Sequence, residues 1–387
     1  MRELIQNKHK VLSLNATHTL LVDGNYLMKR SYDATEKDGK YHTRKGHIGG
    51  IFAFMLSLRK LMTTTNCAKC VICWDGENGG KLRHNIYPEY KANRPGKRWH
   101  DKTILSDKQI EEMERSKKFM LPQRIRVQQY CDELFIRQVE IDEMEADDLI
   151  AYYCKQYHLE EKITIFTNDR DMCQLLSYQN VSIMLANLQK KGEPALSINK
   201  NNYFMYFEHH YENGCLIKTV CGDTSDNIKG IKGVKEKTLL KHFPEIKERV
   251  VDYKELLLRA EQLREERKTD KKKGDLLAIE YILEGRTTIK KHGEIIDHVL
   301  GDEFYAINKL LTDLSEPMLT TDAIQELQEN AELPIKSEGR GSKQLIQMMN
   351  EDMFLSVYVY GGFADFVKPF YTIILNEKEL EKVSMNA

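Results

Sequence analysis

Nine acidic side chains in this sequence follow short apolar runs or open helical patterns. They are Asp23, Asp75, Glu145, Asp147, Asp148, Asp169, Asp171, Asp223 and Asp226. Carboxylates packed together repel one another by about 4 kcal/mol per close pair at intermediate dielectric, so a chain that gathers them needs a positive partner. No histidine or cysteine accompanies them, and an all-oxygen donor set favours magnesium or manganese over zinc. Two magnesium ions about 4 Å apart would suit phosphodiester hydrolysis.

The spacing within this set supports a shared site. Glu145 and Asp148 are three residues apart, so they share a face of the helix that they begin. Asp169 and Asp171 are two apart and point the same way at the end of an extended strand. However, the chain has 59 acidic residues, and any single one could instead cap a helix or lie in solvent. An EF-hand interpretation of "DRDMCQLL" fails because that loop lacks the required glycine and glutamate.

Three apolar runs deliver several of these acids. "HTLLVDGNYL", "CVICWDGENGG" and "KITIFTNDRD" are typical of strands that end near Asp23, Asp75 and Asp169. Helical patterns such as "GGIFAFMLSLRKLM" and "ADDLIAYYCKQYH" lie between them. This alternation predicts an α/β sheet, in which sites collect at the carboxyl ends of the strands. Residues from about 245 to 330 are expected to be helical, with an interruption at the charged loop "REERKTDKKKGD".

Two positively charged segments are suited to phosphate. If "YPEYKANR" is helical, Lys91 and Arg94 project together beside Tyr90, which fits a phosphate and a stacked base. A solvated basic face is the plainer explanation. The turn "NIKGIKGVKEKTLL" could expose backbone amides to a phosphate. Four lysines surround this turn: Lys229, Lys232, Lys235 and Lys237. The alternative interpretation is an ordinary turn between helices, whose lysines only increase solubility.

Composition narrows the class of protein. The chain has 387 residues, enough for two or three folding units, with 41% hydrophobic and 30% charged residues. The mean hydropathy of -0.54 predicts a soluble globular protein. A net charge of -1 excludes a generally basic surface, so nucleic-acid binding would depend on local patches. No apolar run approaches the roughly 18 residues that span a bilayer, and the start lacks the apolar core of a secretory signal.

The eight cysteines are scattered and several lie in apolar segments, which indicates reduced packing residues and a cytoplasmic protein. Cys67, Cys70 and Cys73 have a ligand-like spacing in "CAKCVIC". No nearby cysteine or histidine completes a tetrahedral set, so buried thiols are the favoured interpretation.

Five segments, in this order, resemble the flap endonuclease/5′-3′ exonuclease family. They are "LLVDGNYL", "WDGENGGKLRHNIYPEYKANR", "EADDLIAYY", "FTNDRDMCQLL" and "GDTSDNIKGIKGVKEKTLL". The likeness is to the phage and bacterial branch, which includes the 5′ nuclease domain of bacterial DNA polymerase I and phage RNase H-type replication nucleases. The motifs span residues 19–240, and "INKLLTDLSEP" extends the likeness to about 330. The final segment carries no such likeness.

The resemblance implies a PIN-like α/β core, with a central sheet flanked by helices and a helical arch inserted over the active site. It also implies a helix-hairpin-type module that grips duplex DNA, followed by a helical C-terminal region. We expect an N-terminal extension over 1–16 and the core over 17–220, with the arch at about 79–140. The DNA-binding module and a helical subdomain are expected over 221–334, and a C-terminal segment of unassigned role over 335–387.

Matched position by position, the resemblance also implies site roles. The first metal ion would be held by Asp23, Asp75, Glu145 and Asp147. The second would be held by Asp147, Asp169, Asp171 and Asp223. Asp148 and Asp226 would act through waters or through contacts with the residues that hold the metal ions, and Lys91 and Arg94 would steer and polarise the scissile phosphate. The remaining DNA contacts would come from Arg83, Tyr90, Lys229, Gly230, Lys232, Gly233, Lys235 and Lys237.

The family also binds K⁺ at the hairpin turn. Here the turn departs from the family pattern, because Lys229 and Lys232 replace prolines and Lys235 stands where a glycine is common. A side chain at position 235 could block a close backbone approach.

We therefore predict a magnesium-dependent, structure-specific 5′ nuclease, with Mn²⁺ as a substitute for Mg²⁺. It would act as a monomer on 5′ ends or flaps of DNA and on RNA–DNA hybrids, removing RNA primers or flaps during replication in a bacterium or phage-infected cell. The C-terminal segment could contact a replication protein. A DNA-junction binder without catalysis needs no acids near phosphates, and a PIN-type ribonuclease explains the first four acids but not the hairpin module.

Overall fold

The structure is a computed structural model. It describes residues 17–37, 42–43, 46–92, 94, 106–190, 193–267, 273–291, 294–354 and 361–385. The expected N-terminal extension over 1–16 lies outside these residues. So do residues 93 and 95–105 of the expected arch.

A five-stranded parallel sheet forms the centre of the fold. The strands are β1 (His18–Asp23), β2 (His42–Thr43), β3 (Gly46–His47), β4 (Lys69–Asp75), β5 (Arg137–Ile141), β6 (Lys162–Thr167), β7 (Val181–Leu185), β8 (Arg286–Lys291) and β9 (Glu294–Val299). The sheet has the order β5-β4-β1-β6-β7, and β2–β3 and β8–β9 are separate antiparallel pairs. Because all five sheet strands run the same way, their carboxyl ends meet at one edge. The predicted α/β class is confirmed.

Helices cover the sheet and build a second lobe. They are α1 (Gly24–Thr35), α2 (Gly49–Thr65), α3 (Lys81–Ile86), α4 (Asp107–Arg115), α5 (Leu121–Glu133), α6 (Ala146–Tyr157), α7 (Gly214–Cys221), α8 (Glu236–His242), α9 (Glu245–Glu248), α10 (Tyr253–Arg267), α11 (Lys273–Leu283), α12 (Asp302–Thr312), α13 (Thr321–Glu332), α14 (Ser342–Glu351), α15 (Gly362–Val367) and α16 (Tyr371–Met385). Shorter turns join them, including a π-helical turn over Ser116–Met120 and a 3-10 helix over Arg170–Ser177. No helix in the described part of the chain is both long and apolar enough to cross a bilayer.

Side-chain alternation along the strands sends alternate residues to two different cores. Leu20 and Val22 of β1 enter one hydrophobic cluster with residues of α1, α2 and α5, whereas Leu21 enters another with residues of α6 and α13. Strands buried on both faces are typical of parallel sheets. A third cluster, built from α7 to α12, forms the core of the second lobe.

The C-terminal segment completes the first of these cores. Phe354, Phe366 and Phe370 are fully buried there, and the ring of Phe354 lies 4.7 Å from that of Phe52 on α2. Arg126 of α5 donates to the Asp352 carboxylate at 2.7 Å, and the Tyr130 hydroxyl donates to the same group at 2.9 Å. The helices from Ser342 onward are therefore packed against the elements that cover the central sheet, through both apolar and charged contacts.

Two expectations about elements are wrong. The stretch from about 245 to 330 is not wholly helical, because β8 and β9 form a hairpin within it. The insertion expected to reach about residue 140 ends earlier, because Arg137–Ile141 is an edge strand of the sheet. Five alternating residues of an edge strand carry too weak a periodic signal to separate from a preceding helix.

All eight cysteines are free thiols, and six of them are buried. Burial raises the pKa of the Cys67 thiol to about 11 and places that of Cys70 well above its usual range. These thiols therefore stay protonated and pack as small apolar groups.

A buried ion pair fastens α16 to the edge strand. Arg137 is only 3% exposed, and its guanidinium donates to both oxygens of Glu377, at 2.9 and 2.6 Å. It also donates to the carbonyl oxygens of Asn330 and Leu333, so it joins the end of α13 to α16.

We expect Glu377→Ala to lower the free energy of unfolding by about 3–5 kcal/mol, because it strands a buried guanidinium without its counter-charge. Urea denaturation measures this. The matched control is Glu379→Ala on the same helix, which removes only an exposed pair with Lys382 and should cost less than about 1 kcal/mol. Equal losses from the two variants would contradict the proposed anchoring.

Candidate active site at the carboxyl edge of the sheet

Asp23 and Asp75 end two neighbouring strands, and each also caps a helix. Asp23 accepts a hydrogen bond from the Tyr26 amide at 2.9 Å at the start of α1, and one from the Thr167 hydroxyl at 3.0 Å. Asp75 accepts from the Ala146 amide at 2.9 Å, at the start of α6. These bonds fix both carboxylates at the edge of the sheet while leaving other oxygen lone pairs available.

The start of α6 is pressed against the end of β4. A side chain at Gly76 would place its Cβ 1.9 Å from the carbonyl oxygen of Ile141, so only glycine permits this approach. The Gly76 amide donates to the Met144 carbonyl at 3.0 Å. The loop that carries Glu145 is thereby held beside Asp75.

Asp147 lies at the electrostatic centre of the site. Burial raises its pKa well above the usual range, and the charges of Asp169, Asp23 and Asp75 raise it further, while Lys91 acts in the opposite direction. Burial likewise raises the pKa of Asp23 to about 6, with Asp75 and Asp169 adding to the shift. Four of the predicted carboxylates are therefore brought together, and their negative charge exceeds what the nearby cations neutralise.

A second group of acids surrounds Lys218. The Asp169 carboxylate accepts from the Asp171 amide at 2.8 Å at the first turn after β6. Burial and the Asp169 charge raise the pKa of Asp171 to about 7. The Lys218 ammonium forms ion pairs with both Asp171 and Asp223. Although burial acts the other way, Lys218 and the Ser225 donors hold the pKa of Asp223 below its usual range.

The sequence-based prediction missed Lys218 and Thr167. Lys218 is in the last turn of α7, but Asp223 lies beyond the end of that helix at Cys221, so helical spacing does not predict their contact. Thr167, the last residue of β6, could have been found from the rule that strand ends face the site.

Arg83 and Tyr90, which the sequence predicts as DNA contacts, are buried against acidic side chains in this structure. Arg83 is 4% exposed and its guanidinium clasps Asp148 and Glu145, at 2.9 Å for Nη2 to Asp148 Oδ1 and for Nη1 to Glu145 Oε2. Tyr90 is 2% exposed and its hydroxyl donates to Glu145 at 2.8 Å. Sequence spacing placed both in a basic segment, but their partners lie about 60 residues away in the chain.

Asp148 is occupied by protein donors. Besides Arg83, it accepts from the Met318 amide at 2.8 Å, and it is 1% exposed. Glu145 is 3% exposed and accepts from Arg83, Tyr90 and Lys91. These two carboxylates therefore lie deeper than the others.

Lys91 and Arg94 reach the site but face acids. The Lys91 ammonium pairs with Glu145 and lies 3.9 Å from Asp226, and Lys91 is 6% exposed. Arg94 is more exposed and donates to Asp226 at 2.6 Å. All nine predicted acids thus lie on or next to one connected network of charges.

The described residues contain no ready-made group of three or more histidine, cysteine or acidic side chains spaced to hold a metal ion. At the two ends of the network, Lys91 and Lys218 lie between carboxylates. The possible metal ligands are all carboxylates, and Asp147 among them is buried beside other negative charges. Such a set of oxygen donors fits hard divalent cations.

The predicted hairpin turn follows α7. Gly230 packs so closely that a Cβ would lie 2.0 Å from the Cys221 carbonyl oxygen, and Gly233 has a φ of +72°. Lys235 has extended backbone (φ -120°) before α8, so the turn accommodates a side chain where the family often has glycine. Lys229 donates to Asn227 at 2.9 Å, Lys232 pairs with Asp297, and Lys235 and Lys237 are exposed.

Comparison with known proteins identifies the class. Residues 18–205 match the family described as 5′-3′ exonuclease, N-terminal resolvase-like domain. A 5′-3′ exonuclease of Bacillus subtilis is 30% identical over 262 residues, which cover 64% of this chain and 78% of that protein. The chain belongs to the 5′-3′ exonuclease family, which is a family of phosphodiester-hydrolysing nucleases.

More distant likenesses agree with this assignment. Thermostable DNA polymerase I of Thermus thermophilus is 28% identical over 227 residues, covering 58% of this chain but only 24% of the polymerase. The flap endonuclease of bacteriophage T5, solved as a pseudo-enzyme-product complex with DNA and metal ions, shares the fold with a TM-score of 0.54. It is 16% identical, and the match covers 87% of this chain and 98% of that one. The PIN-like fold expected from the sequence is confirmed.

We expect Asp147→Asn to raise the free energy of unfolding in metal-free buffer by about 1 kcal/mol. The variant removes a desolvated charge that three aspartates repel. Thermal unfolding in the presence of a chelator measures this. Asp33→Asn, which alters an exposed aspartate paired with Lys29, should leave stability nearly unchanged. A destabilised Asp147→Asn protein would refute the view that carboxylate repulsion is uncompensated at this position.

Proposed function

We propose that this protein is a divalent-metal-dependent, structure-specific 5′ nuclease that cuts phosphodiesters near 5′ ends or at 5′ flaps. The observation that carries the proposal is that burial, together with the neighbouring charges of Asp75 and Asp169, raises the pKa of both Asp23 and Asp147, so the group calls for bound cations. Magnesium is the cation of choice for an all-carboxylate set, and Mn²⁺ would substitute. Bound ions would lower the pKa of water and neutralise charge on the phosphate oxygens.

We assign the residues in two groups. Asp23, Asp75, Glu145 and Asp147 would hold one ion. Asp147, Asp169, Asp171 and Asp223 would hold the other. Because Asp148 is saturated by Arg83 and the Met318 amide, its role in this proposal is to position Arg83 and hence Glu145. Asp226 would position Arg94 and Lys91.

Each cation near the acids has a proposed task. Lys91 and Arg94 would exchange their carboxylate partners for the oxygens of the scissile phosphate. Arginine can hold a phosphate through two parallel hydrogen bonds, whereas lysine acts as a point charge. Lys218 would position Asp171 and Asp223 and stabilise their charged forms.

The substrate in this proposal is DNA with a 5′ end or flap, or an RNA–DNA hybrid. The complex of the T5 enzyme with DNA and metal ions supports the DNA class. Duplex would lie on the turn with Gly230, Gly233 and the lysines Lys229, Lys232, Lys235 and Lys237, where K⁺ could bridge backbone to phosphate. Removal of RNA primers or flaps in replication, action as a monomer in the cytoplasm, and contact of residues 335–387 with a replication protein are further parts of the proposal.

A labelled 5′-flap duplex tests the activity, with a matched 3′-flap duplex as the polarity control. We expect cutting of the 5′ flap alone with Mg²⁺, none with a chelator, and a loss of at least about 100-fold in Asp147→Asn with duplex binding retained. Asp33→Asn should cut like the wild type. Tight flap binding without product under Mg²⁺ or Mn²⁺ would instead support a DNA-junction binder.

Lys91→Ala should lower the single-turnover cleavage rate at least about 100-fold while changing the Kd for duplex by less than about threefold. Lys91 is only 6% exposed and its ammonium pairs with Glu145 among the acids, so its loss would affect chemistry more than docking. Lys29→Ala, an exposed lysine on α1, is the control. Rate and Kd that fall together would contradict the proposed role of Lys91.

A further inference from the structure

The β8–β9 hairpin is fastened to the turn that carries Lys232. The Thr287 hydroxyl donates to the Gly230 carbonyl at 2.8 Å, and the Lys232 amide donates to the Arg286 carbonyl at 2.8 Å. Thr287 also forms a bridge to Ile231 and is only 3% exposed. The hairpin and the glycine turn therefore form one continuous surface.

On that surface one carboxylate lies between two cations. The Lys232 ammonium lies 2.7 Å from both oxygens of Asp297, and an Arg286 nitrogen lies 3.6 Å from Asp297 Oδ2. Asp297 is placed there by the register of the hairpin, in which it faces Thr288. The ring of Tyr281 lies under both cations, 5.6 Å from Lys232 Nζ and 5.0 Å from Arg286 Cζ.

The ion pairs between Asp297 and the two cations are accessible to solvent and contribute little to stability. The side chains of Lys232, Asp297 and Arg286 are 37%, 38% and 28% exposed. Ion pairs at this exposure add little to stability, so their exchange for another anion costs little. Two carboxylate oxygens between a lysine and an arginine present the same acceptors to these donors as two oxygens of a phosphodiester. Arg286 also contacts Glu284 at 2.6 Å, so Lys232 is the cation that Asp297 holds most directly.

We propose that Asp297 is an internal competitor for the DNA backbone. Duplex docking on the glycine turn would replace its carboxylate with a phosphate at Lys232 and Arg286, and product release would restore the internal pair. The β8–β9 hairpin thereby sets the affinity of the module rather than only supporting it. This inference rests on the proposed function, because it takes the turn as the surface that binds duplex.

The test measures the Kd of the full-length protein for a short blunt duplex, in chelator and at several salt concentrations. Asp297→Asn frees the Lys232 ammonium and removes one of the two carboxylates that contact Arg286, without changing side-chain size. We expect binding about three to ten times tighter at 0.1 M salt, with a slope of log Kd against log salt steeper by about one to two. Thermal unfolding confirms that the variant is folded.

Two further variants make the result specific. Glu379→Gln changes net charge by the same amount on α16, next to Lys382, and should leave the Kd within about twofold. Lys232→Gln, added to Asp297→Asn, should remove most of the gain in affinity. Equal effects of Asp297→Asn and Glu379→Gln, or a gain that survives Lys232→Gln, would overturn the proposal.

Failure of this inference is distinguishable from failure of the proposed function. A wild-type protein that cuts 5′ flaps with Mg²⁺, together with an unchanged Kd in Asp297→Asn, overturns the internal competitor alone. A wild type that neither binds duplex nor cuts flaps overturns the proposed function and this inference together.

Discussion

Repulsion among carboxylates at one edge of the sheet is the constraint that the rest of this structure must satisfy. Parallel strands deliver Asp23, Asp75 and Asp169 to the same edge, and α6 adds Asp147 from the side. Water would normally separate such charges, but the packing of two cores below the edge removes much of it. The fold therefore stores unfavourable electrostatic energy at the position where a charged substrate and cations would recover it.

Cationic side chains around the group of acids reduce the repulsion between the carboxylates. Arg83 neutralises Asp148 and part of Glu145, Lys91 neutralises the rest, and Lys218 joins Asp171 to Asp223. Of these cations, Lys91 is the one whose charge lowers the pKa of Asp147, against the burial and the three aspartates that raise it. The pattern is a negative centre inside a positively charged ring. Such a ring would also keep the acids in position when the centre changes its charge.

The positions of most of the acids could be predicted from the sequence, because the patterns that indicate them lie within short segments of the chain. An apolar strand followed by aspartate and glycine fixed the edge position of Asp23 and Asp75, and the spacing of Glu145, Asp147 and Asp148 fixed the start of α6. The roles of Arg83 and Tyr90 were not predictable in this way. Their basic segment is typical of a DNA-binding surface, whereas their burial depends on Glu145 and Asp148, which enter only through the fold. The hairpin that carries Asp297 was likewise hidden within a charged, helix-rich stretch.

The packing of the C-terminal helices has a consequence for biosynthesis. Every acid of the candidate site has been synthesised once 226 residues have been made, yet Phe354, Phe366 and Phe370 still have to fill the core that α2 and α5 line. Arg126 and Arg137 find their carboxylate partners 226 and 240 positions later. Closing loops of that length slows folding, and the incomplete core exposes apolar surface until they close. The core below the site therefore stays incomplete until Phe354, Phe366 and Phe370 have been made and have packed against α2 and α5.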